Sequence, residues 1–435
     1  MILSIRVPFS SQHRLAHNAF QRLREVSYPI GDKQPVYVSA EEALADIRSG
    51  FNIFVSGTAA SPTPLLNELQ NVAEKRDLNR ITLHHIHLHG ESKWSQKEGK
   101  GRVDFNSILL QEIPHLFYRK IIPLDAALIQ VSPPDEKGFC SLGTSVDIVR
   151  SAIMPRTHGE GIIHSSHLDS IVMAKGHELY EKKGGKIGET EMKIAKLIAD
   201  NLISDGSTLQ MGVGDVPDGV TYALGEHKDI GIHTEMFSDG VLDLLQKGVI
   251  TNRLKTTFPG KMVTSFVYGS RRLYDFVDDN PLCHFGSVEW TNHPAFIAKQ
   301  RKMVAINSMV EMDITGQICS DSIGTRFLSG FGGQLDFLSG AALAEDGQGK
   351  PIIAVPSTNK KTGESKIVPF LKKGAGVVTT RAHVHYIVTE YGIAELWGRN
   401  MRQRAHALIQ IAHPNHREWL EKEAFDRLKV MPSRD

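Results

Sequence analysis

Short apolar runs alternate with longer amphipathic stretches along most of the chain. Residues 51–57 (FNIFVSG) are predicted to form a buried strand that ends at a glycine, and residues 62–69 begin a helix with leucines on one side. Further strands are predicted at 81–89, 126–131, 207–211, 302–307, 351–356 and 385–388. This alternation is typical of an α/β protein with mostly parallel sheets.

The strand, turn and helix pattern occurs on both sides of one polar passage. Residues 175–191 (KGHELYEKKGGKIGETE) contain many lysines, glycines and glutamates and few apolar side chains, which is typical of a linker. A chain of 435 residues is also longer than a domain with a single hydrophobic core usually is. We therefore expect two α/β domains, at residues 1–190 and 191–435.

Composition and charge exclude several classes of partner. The hydrophobic fraction of 41% and the charged fraction of 23% are those of an ordinary soluble globular protein. Fifty basic residues balance 49 acidic ones and no basic block is present, so nucleic acid is not an expected partner. No apolar stretch reaches the roughly 18 residues that span a bilayer, and residues 1–14 do not resemble a secretory signal, so we expect a cytoplasmic protein without membrane contact.

The residue types that bind metals are present but are not arranged for it. His84, His85, His87 and His89 lie in one predicted strand, where alternation would place three of them on one face. Apolar residues alternate with them and no acidic or cysteine cluster accompanies them, so we predict no metal site. The three cysteines are widely spaced, without a Cys-x-x-Cys pair, and are predicted to be reduced and structural.

Two glycine-rich turns are candidates for ligand contact. The first, Gln210–Gly214 (QMGVG), follows a predicted strand and offers either a tight turn or backbone amides at the start of a helix. Val216 and Pro217 occupy the place of a third glycine, which disfavours a nicotinamide cofactor. The second turn, Gly330–Asp336 (GFGGQLD), has three glycines in four positions, which favours ligand contact over a simple bulge.

Glu235 lies between these turns in the run GIHTEMFSDG (231–240). A carboxylate beside loops that offer bare N–H groups could attack a carbonyl whose developing oxyanion those groups stabilise, which is chemistry that a thioester needs. Other acids compete for this role. Asp239 and Asp243 are predicted to cap a helix, and Glu390 follows a strand, where either a site residue or a buried salt bridge would fit.

Several motifs together resemble the acetyl-CoA hydrolase/transferase family, over nearly the whole length. They are PDEKGFCSLGTSVD (134–147), QMGVG (210–214), HTEMFSDG (233–240), TNHP (291–294), GFGGQLDF (330–337) and VTEYGIAEL (388–396). Within that family the chain is most similar to CoA-transferases that act on 4-hydroxybutyrate or butyryl-CoA with acetate. The resemblance implies two related open α/β domains with mostly parallel sheets, the catalytic glutamate being in the second.

The resemblance also implies a role for each site residue. Glu235 would form a mixed anhydride and then a glutamyl-CoA thioester. Asn292, Gly332 and Gly333 are the candidates for polarising the carbonyl, and Glu390 would orient the substrate. The residues expected to contact coenzyme A are Gln210, Gly212, Val213, Gly214, Gly330, Gly333 and Gln334.

Coenzyme A is expected as a substrate, not as a permanently bound cofactor, together with a short-chain carboxylate. A homodimer or larger homo-oligomer is implied by the resemblance. The alternatives are an acyl-CoA hydrolase on the same scaffold and a CoA-binding protein with an idle site. The acyl chain is not specified by the sequence. Arg271, Arg272, Lys366 and Arg381 could hold the adenine and phosphates, although surface charge is the commoner role for each.

Overall fold

The structure is a computed structural model that describes residues 2–6, 29–31, 33–90, 103–153, 161–174, 176–182, 185, 187–212 and 214–435. Its strands, in chain order, are β1 (Ile2–Arg6), β2 (Val36–Tyr37), β3 (Asn52–Val55), β4 (Thr82–His84), β5 (Ala126–Val131), β6 (Phe139–Ser141), β7 (Ile162–His164), β8 (Ser170–Met173), β9 (Thr208–Met211), β10 (Gly231–Ile232), β11 (Met236–Phe237), β12 (Met262–Thr264), β13 (Phe266–Val267), β14 (Cys283–Phe285), β15 (Met303–Asn307), β16 (Glu311–Asp313), β17 (Ile318–Cys319), β18 (Ser322–Ile323), β19 (Arg326–Phe327), β20 (Lys350–Ala354), β21 (Ile367–Val368), β22 (Tyr386–Thr389) and β23 (Gly392–Glu395).

The α-helices alternate with these strands. They are α1 (Ala40–Ala43), α2 (Thr63–Lys75), α3 (Ile113–Tyr118), α4 (Val149–Ile153), α5 (Glu189–Leu202), α6 (Asp215–Ala223), α7 (Gly240–Gln246), α8 (Arg271–Val277), α9 (Val288–Thr291), α10 (Pro294–Ile297), α11 (Gln334–Ala342), α12 (Met401–Ile411) and α13 (Pro414–Leu428). Among the described residues, no helix is both long and apolar enough to cross a membrane.

The first compact unit comprises residues 1–104, 112–183 and 265–289. Its six-stranded sheet has the order β2-β8-β1-β5-β3-β4, in which β1 runs antiparallel to both neighbours and the other pairs are parallel. Leu65, Leu66 and Leu69, the leucines of the predicted helix, lie fully buried on α2 in the core that covers this sheet. Burial of this apolar face stabilises the helix.

The second compact unit comprises residues 105–111, 184–264 and 290–435. Its six-stranded sheet has the order β10-β9-β15-β20-β22-β23, and all pairs are parallel except the last. Phe337 and Leu338 of α11 and Leu408 of α12 are buried in the core of this unit. The predicted α/β class with mostly parallel sheets is confirmed, whereas the division into domains 1–190 and 191–435 stays a prediction.

The order of the strands in the second unit's sheet indicates where a ligand would bind. From β9 the chain crosses to β10 on one side and later returns to β15 on the other, so the order reverses at β9. In open parallel sheets, ligands bind outside the carboxyl ends of the strands at such a reversal. Gly212, Glu235, Asn307, Ser357 and Glu390 all lie at or just beyond the carboxyl ends of parallel strands.

The histidine-rich strand is shorter than predicted. The strand expected at 81–89 spans only Thr82–His84, because the chain then turns so that His87 O accepts a hydrogen bond from Thr58 N. Burial lowers the pKa of both His85 and His89 to about 4, so these rings are neutral at pH 7. Within the described part of the chain, no group of three or more histidine, cysteine or acidic side chains is arranged to hold a metal ion.

Candidate active site

Glu235 follows β10 in a segment whose backbone is held on both sides. His233 N donates to Leu209 O of β9 at 3.1 Å, and Thr234 N donates to Val263 O at 3.1 Å. The hydroxyl of Thr264 donates to Glu235 O at 3.1 Å. His233 and Thr234 are fully buried, while Glu235 itself is half-buried. A rigid segment therefore presents one partly covered carboxylate at the edge of the sheet.

Asn292 fixes the orientation of this carboxylate. Its Nδ2 donates to Oε2 of Glu235 at 2.8 Å, and its side chain is fully buried. The preceding residue, Thr291, accepts a hydrogen bond through its carbonyl from Nε2 of His233 at 2.8 Å, which requires the proton to be on Nε2. The TNHP and HTEMFSDG motifs are thus tied together by two hydrogen bonds.

The backbone of Gly333 lies close to this pair. A Cβ atom at Gly333 would overlap Oε2 of Glu235 and would lie 2.5 Å from Nδ2 of Asn292, so only glycine fits. Gly332 has φ +70°, a left-handed conformation that favours glycine. Gly333 is the N-cap residue of α11 and no side chain caps it, so the start of this helix can offer backbone N–H groups beside the glutamate.

The first glycine turn lies at the end of β9. Gly212 N donates to Ile306 O at 3.0 Å, and Gly214, with φ 137°, precedes α6 without a side-chain cap. Gln210, predicted to contact coenzyme A, is buried and pairs its amide with that of Asn307. Val213 lies outside the described residues.

Glu390, at the end of β22, is held by a single neighbour on both oxygens. The hydroxyl of Ser357 donates to Oε1 at 2.6 Å and its backbone N donates to Oε2 at 2.9 Å. Lys366 is half-buried nearby, where burial lowers its pKa and the charges of Glu191 and Glu390 oppose that shift. The two interpretations of Glu390, as a site residue and as a salt-bridge partner, both stay predictions.

The remaining predicted contacts are placed as follows. Gln334 donates through Nε2 to the hydroxyl of Thr379 at 3.1 Å, and a Cβ at Gly330 would lie 3.4 Å from Asn106 O. Arg271 and Arg272 are exposed on α8, Arg271 being paired with Asp275 at 2.7 Å. The backbone of Arg381 accepts a hydrogen bond from Arg404 at 2.9 Å. Asp239 is the N-cap residue of α7 and Asp243 lies in its first turn, at the helix start where they were predicted, although the side chain of Asp239 makes no capping hydrogen bond.

The structure brings Glu235, Asn292 and Gly333 together at one point. Their roles in catalysis, and the contacts with coenzyme A, stay predictions. Sequence reasoning missed Asn307 and Ser357, although each is a polar residue close after an apolar strand of the sheet that carries Glu235. The position of polar residues at carboxyl strand ends was the signal that could have found them.

Comparison with known proteins now decides the family. The model of the acetyl-CoA hydrolase/transferase C-terminal domain matches residues 269–424, and that of the N-terminal domain matches residues 84–175. The chain belongs to the acetyl-CoA hydrolase/transferase family. The predicted family is confirmed, and both models cover motifs on which the resemblance rested.

Relatives of this family member carry CoA-transferase names. A succinyl-CoA:acetate/propanoyl-CoA:succinate CoA transferase of Fasciola hepatica is 50% identical over 97% of this chain and 96% of its own. The 4-hydroxybutyrate coenzyme A transferase of Clostridium kluyveri is 42% identical over 89% and 96%. The butyryl-CoA:acetate CoA-transferase of Anaerostipes caccae is 37% identical over 89% and 95%. The predicted enzyme class is thereby confirmed.

A solved structure agrees with this assignment. The 4-hydroxybutyrate CoA-transferase of Porphyromonas gingivalis has a TM-score of 0.75 and 38% identity, covering 90% of this chain and 98% of its own. An acetyl-CoA hydrolase of Kluyveromyces lactis is 31% identical over only 48% of this chain and 38% of its own. The named hydrolase is therefore a more distant relative than the named transferases.

Proposed function

We propose that this protein transfers CoA from butyryl-CoA or 4-hydroxybutyryl-CoA to acetate, through a thioester between Glu235 and CoA. The observation that carries the proposal is the half-buried Glu235 carboxylate, which accepts a hydrogen bond from the Asn292 amide and lies so close to Gly333, at the start of α11, that no side chain fits there. A nucleophilic carboxylate, a neutral donor and helix N–H groups are the parts that acyl transfer needs.

In the first half-reaction a carboxylate oxygen of Glu235 attacks the thioester carbonyl, and the C–S bond breaks to release CoA thiolate. The product is an anhydride between Glu235 and the acyl group. The thiolate then attacks the glutamyl carbonyl, which releases the carboxylic acid as its anion and leaves CoA on Glu235. Acetate attacks this thioester and the same steps run in reverse, giving acetyl-CoA and free Glu235. No proton is consumed in either half.

Each tetrahedral intermediate carries an oxyanion. We assign its stabilisation to Nδ2 of Asn292 and to the backbone N–H groups at Gly332 and Gly333, as the motifs imply. Loss of one such donor typically lowers the rate about a hundredfold to a thousandfold. The buried surroundings of Asn292 and His233 help to exclude water, which would otherwise hydrolyse the anhydride or the thioester.

Two alternatives use the same site. The 50% identical relative is named for succinyl-CoA and propanoyl-CoA, which favours succinate or propanoate as a second set of acyl partners. A hydrolase would differ only in that water, and not a carboxylate, attacks the covalent intermediate.

We also propose that the protein assembles as a homodimer or larger homo-oligomer. Light scattering in solution measures the mass of the assembly.

The deciding experiment measures products with and without acetate. We expect butyryl-CoA plus acetate to give acetyl-CoA and butyrate, with little free CoA when acetate is omitted. Equal release of free CoA in both mixtures would identify a hydrolase instead. Replacing butyryl-CoA by its 4-hydroxybutyryl, succinyl and propanoyl analogues ranks the acyl groups by their rates of transfer.

A metal-dependent enzyme built on the histidine-rich segment is tested by chelation. Unchanged activity after treatment with a chelator excludes it.

The covalent intermediate is tested by trapping. Borohydride or hydroxylamine, added after butyryl-CoA, should change the mass of the peptide that contains Glu235. The peptide should stay unmodified in Glu235→Gln and become modified in the matched exposed control Glu226→Gln. An unmodified peptide in the unaltered protein, with CoA binding intact, would support a binding protein with an idle site.

A further inference from the structure

Two amide side chains form a closed pair at the point where the strand order of the second unit reverses. Nε2 of Gln210 donates to Oδ1 of Asn307 at 3.3 Å, and Nδ2 of Asn307 donates to Oε1 of Gln210 at 3.0 Å. Gln210 is opposite Ala305 in the parallel ladder, so Asn307, two residues later, projects from the same face. Gln210 is buried, whereas Asn307 is partly exposed.

The pair is not needed to hold its two strands together. Residues 208–211 of β9 already pair with residues 303–306 of β15 through a continuous parallel ladder. Each amide in the pair still has one N–H and acceptor capacity available beyond the reciprocal bonds. A partly exposed polar group with capacity left, at a carboxyl strand end, points to a ligand.

The Gln210–Asn307 pair carries no charge, and this determines which chemical groups it can bind well. Phosphate or carboxylate groups bind best to charged donors. An amide pair resembles two hydrogen-bonded peptide groups and suits another amide, which can both donate and accept. The Gly212 turn adds backbone to the same surface, because a Cβ there would lie 3.6 Å from Ile306 O and 3.9 Å from Oδ1 of Asn307.

The distance between this amide pair and Glu235 suits the pantetheine arm of coenzyme A. Glu235 follows β10, and Asn307 ends β15, with β9 between them. Neighbouring strands lie about 4.8 Å apart, so the two strand ends are roughly 10 Å apart. In an extended pantetheine arm the two amides lie roughly 5 Å and 10 Å from the sulfur, from ordinary bond lengths. An arm whose thioester is at Glu235 therefore crosses the end of β9 and reaches this pair.

We propose that Asn307, supported by Gln210, binds the amide of the pantetheine arm that lies farther from the sulfur. The inference rests on the proposed function, because it places the thioester at Glu235. Asn307 is then a binding residue that recognises the thiol carrier whatever the acyl group is. It takes no part in bond making or breaking.

Truncated thioesters test the contact. Butyryl-CoA and butyryl-pantetheine both have the amide farther from the sulfur, whereas butyryl-N-acetylcysteamine has only the nearer one. For Asn307→Leu we expect kcat/KM for transfer to acetate to fall about tenfold to a hundredfold with the first two substrates. The value for butyryl-N-acetylcysteamine should change less than about twofold. Asn201→Leu, at an exposed amide of α5, is the matched control and should change none of the three.

An equal loss with all three substrates, or no loss with any, would overturn the assignment. Asn307→Asp is a second variant of nearly the same shape. It keeps the acceptor for Nε2 of Gln210, replaces the Nδ2 donor by an oxygen and adds a negative charge, and thermal melting shows whether it folds. Calorimetry with CoA and with free pantetheine separates the two proposals. If the unaltered protein binds both without transferring acyl groups, the proposed function fails, and weaker pantetheine binding in Asn307→Asp still supports the amide contact. Unchanged pantetheine binding there overturns it.

Discussion

Gly333 lies so close to Glu235 that a Cβ atom at position 333 would overlap Oε2 of the glutamate. The same atom would lie 2.5 Å from Nδ2 of Asn292, so a methyl group must displace the carboxylate, the amide or the start of α11. We predict that Gly333→Ala lowers kcat at least about a hundredfold, which is the cost of disturbing a single oxyanion donor. Steady-state kinetics with butyryl-CoA and acetate measure the loss.

The control for this substitution is Gly225→Ala. A Cβ at Gly225 meets no atom within 4 Å and its φ is not positive, so kcat and thermal stability should both be retained. Thermal melting of Gly333→Ala should also be nearly unchanged if the effect is confined to the site. Full activity in Gly333→Ala would show that Glu235 does not need its present position.

Replacing Asn292 by aspartate tests the donor to Glu235. Asn292→Asp removes the Nδ2 that donates to Oε2 at 2.8 Å and places a second carboxylate at that distance. Two carboxylates sharing a site retain a proton to higher pH than either would alone. We predict a loss of about a hundredfold or more at pH 8, with part of the activity returning as the pH falls and the shared proton restores a donor.

The pH profile of kcat distinguishes this explanation from simple misfolding. Asn201→Asp, at an exposed site, should keep the profile of the unaltered protein. A profile of Asn292→Asp that is parallel to that of the unaltered protein would contradict a shared proton.

Local sequence patterns predicted much of the fold and part of the site. The strand expected at 126–131 is β5 residue for residue, since a fully buried run leaves little choice of structure. Glu235, Asn292 and Gly333 lie in short sequence motifs, and each motif can be recognised without knowing the three-dimensional structure. Asn307 and Ser357 could not be found that way, because their neighbours Gln210 and Glu390 are brought close by strand order. The order of strands in a sheet depends on long-range packing.

We expect Ser357 to affect activity by holding the side chain of Glu390 in place. Its hydroxyl donates to Oε1 at 2.6 Å, and its backbone N would still hold Oε2 after substitution. Ser357→Ala removes a single hydrogen bond to a charged group, which is worth about 1.5–3 kcal/mol. We predict that kcat/KM for butyryl-CoA falls about tenfold to a hundredfold. The fall should be absent when Glu390→Ala is already present, and equal losses in both backgrounds would separate Ser357 from Glu390.

Lys255 links stability to pH. Its buried Nζ donates to Ile232 O and Lys261 O, each at 2.7 Å, and burial lowers its pKa to about 7. The unfolded chain keeps the ordinary value near 10.4, so between about pH 7 and pH 10 only the unfolded state holds this proton. The free energy of unfolding should therefore rise with pH across that window, by up to about 1.4 kcal/mol per pH unit from this group.

Urea unfolding of Lys255→Met at several pH values isolates that contribution. The difference in unfolding free energy between the unaltered protein and Lys255→Met should grow from pH 7 to pH 9 and stay constant below pH 6. Lys247→Met, at an exposed site, should show no such growth. A difference that is the same at every pH would mean that Lys255 titrates normally in the folded protein.

Arg427 should anchor α13 through a buried charge. Nη1 and Nη2 both donate to Oδ2 of Asp313 at 3.0 Å, and Asp313 is only 4% exposed. Breaking a buried pair leaves an uncompensated charge and costs about 3–5 kcal/mol. We predict that Arg427→Met lowers the free energy of unfolding by about 3 kcal/mol, whereas Arg253→Met, which breaks an exposed pair with Asp229, changes it little. Adding Asp313→Asn to Arg427→Met should recover part of the loss, because the stranded carboxylate is then removed. No recovery in that double variant would mean that packing of the arginine against Phe370, and not its charge, stabilises the helix.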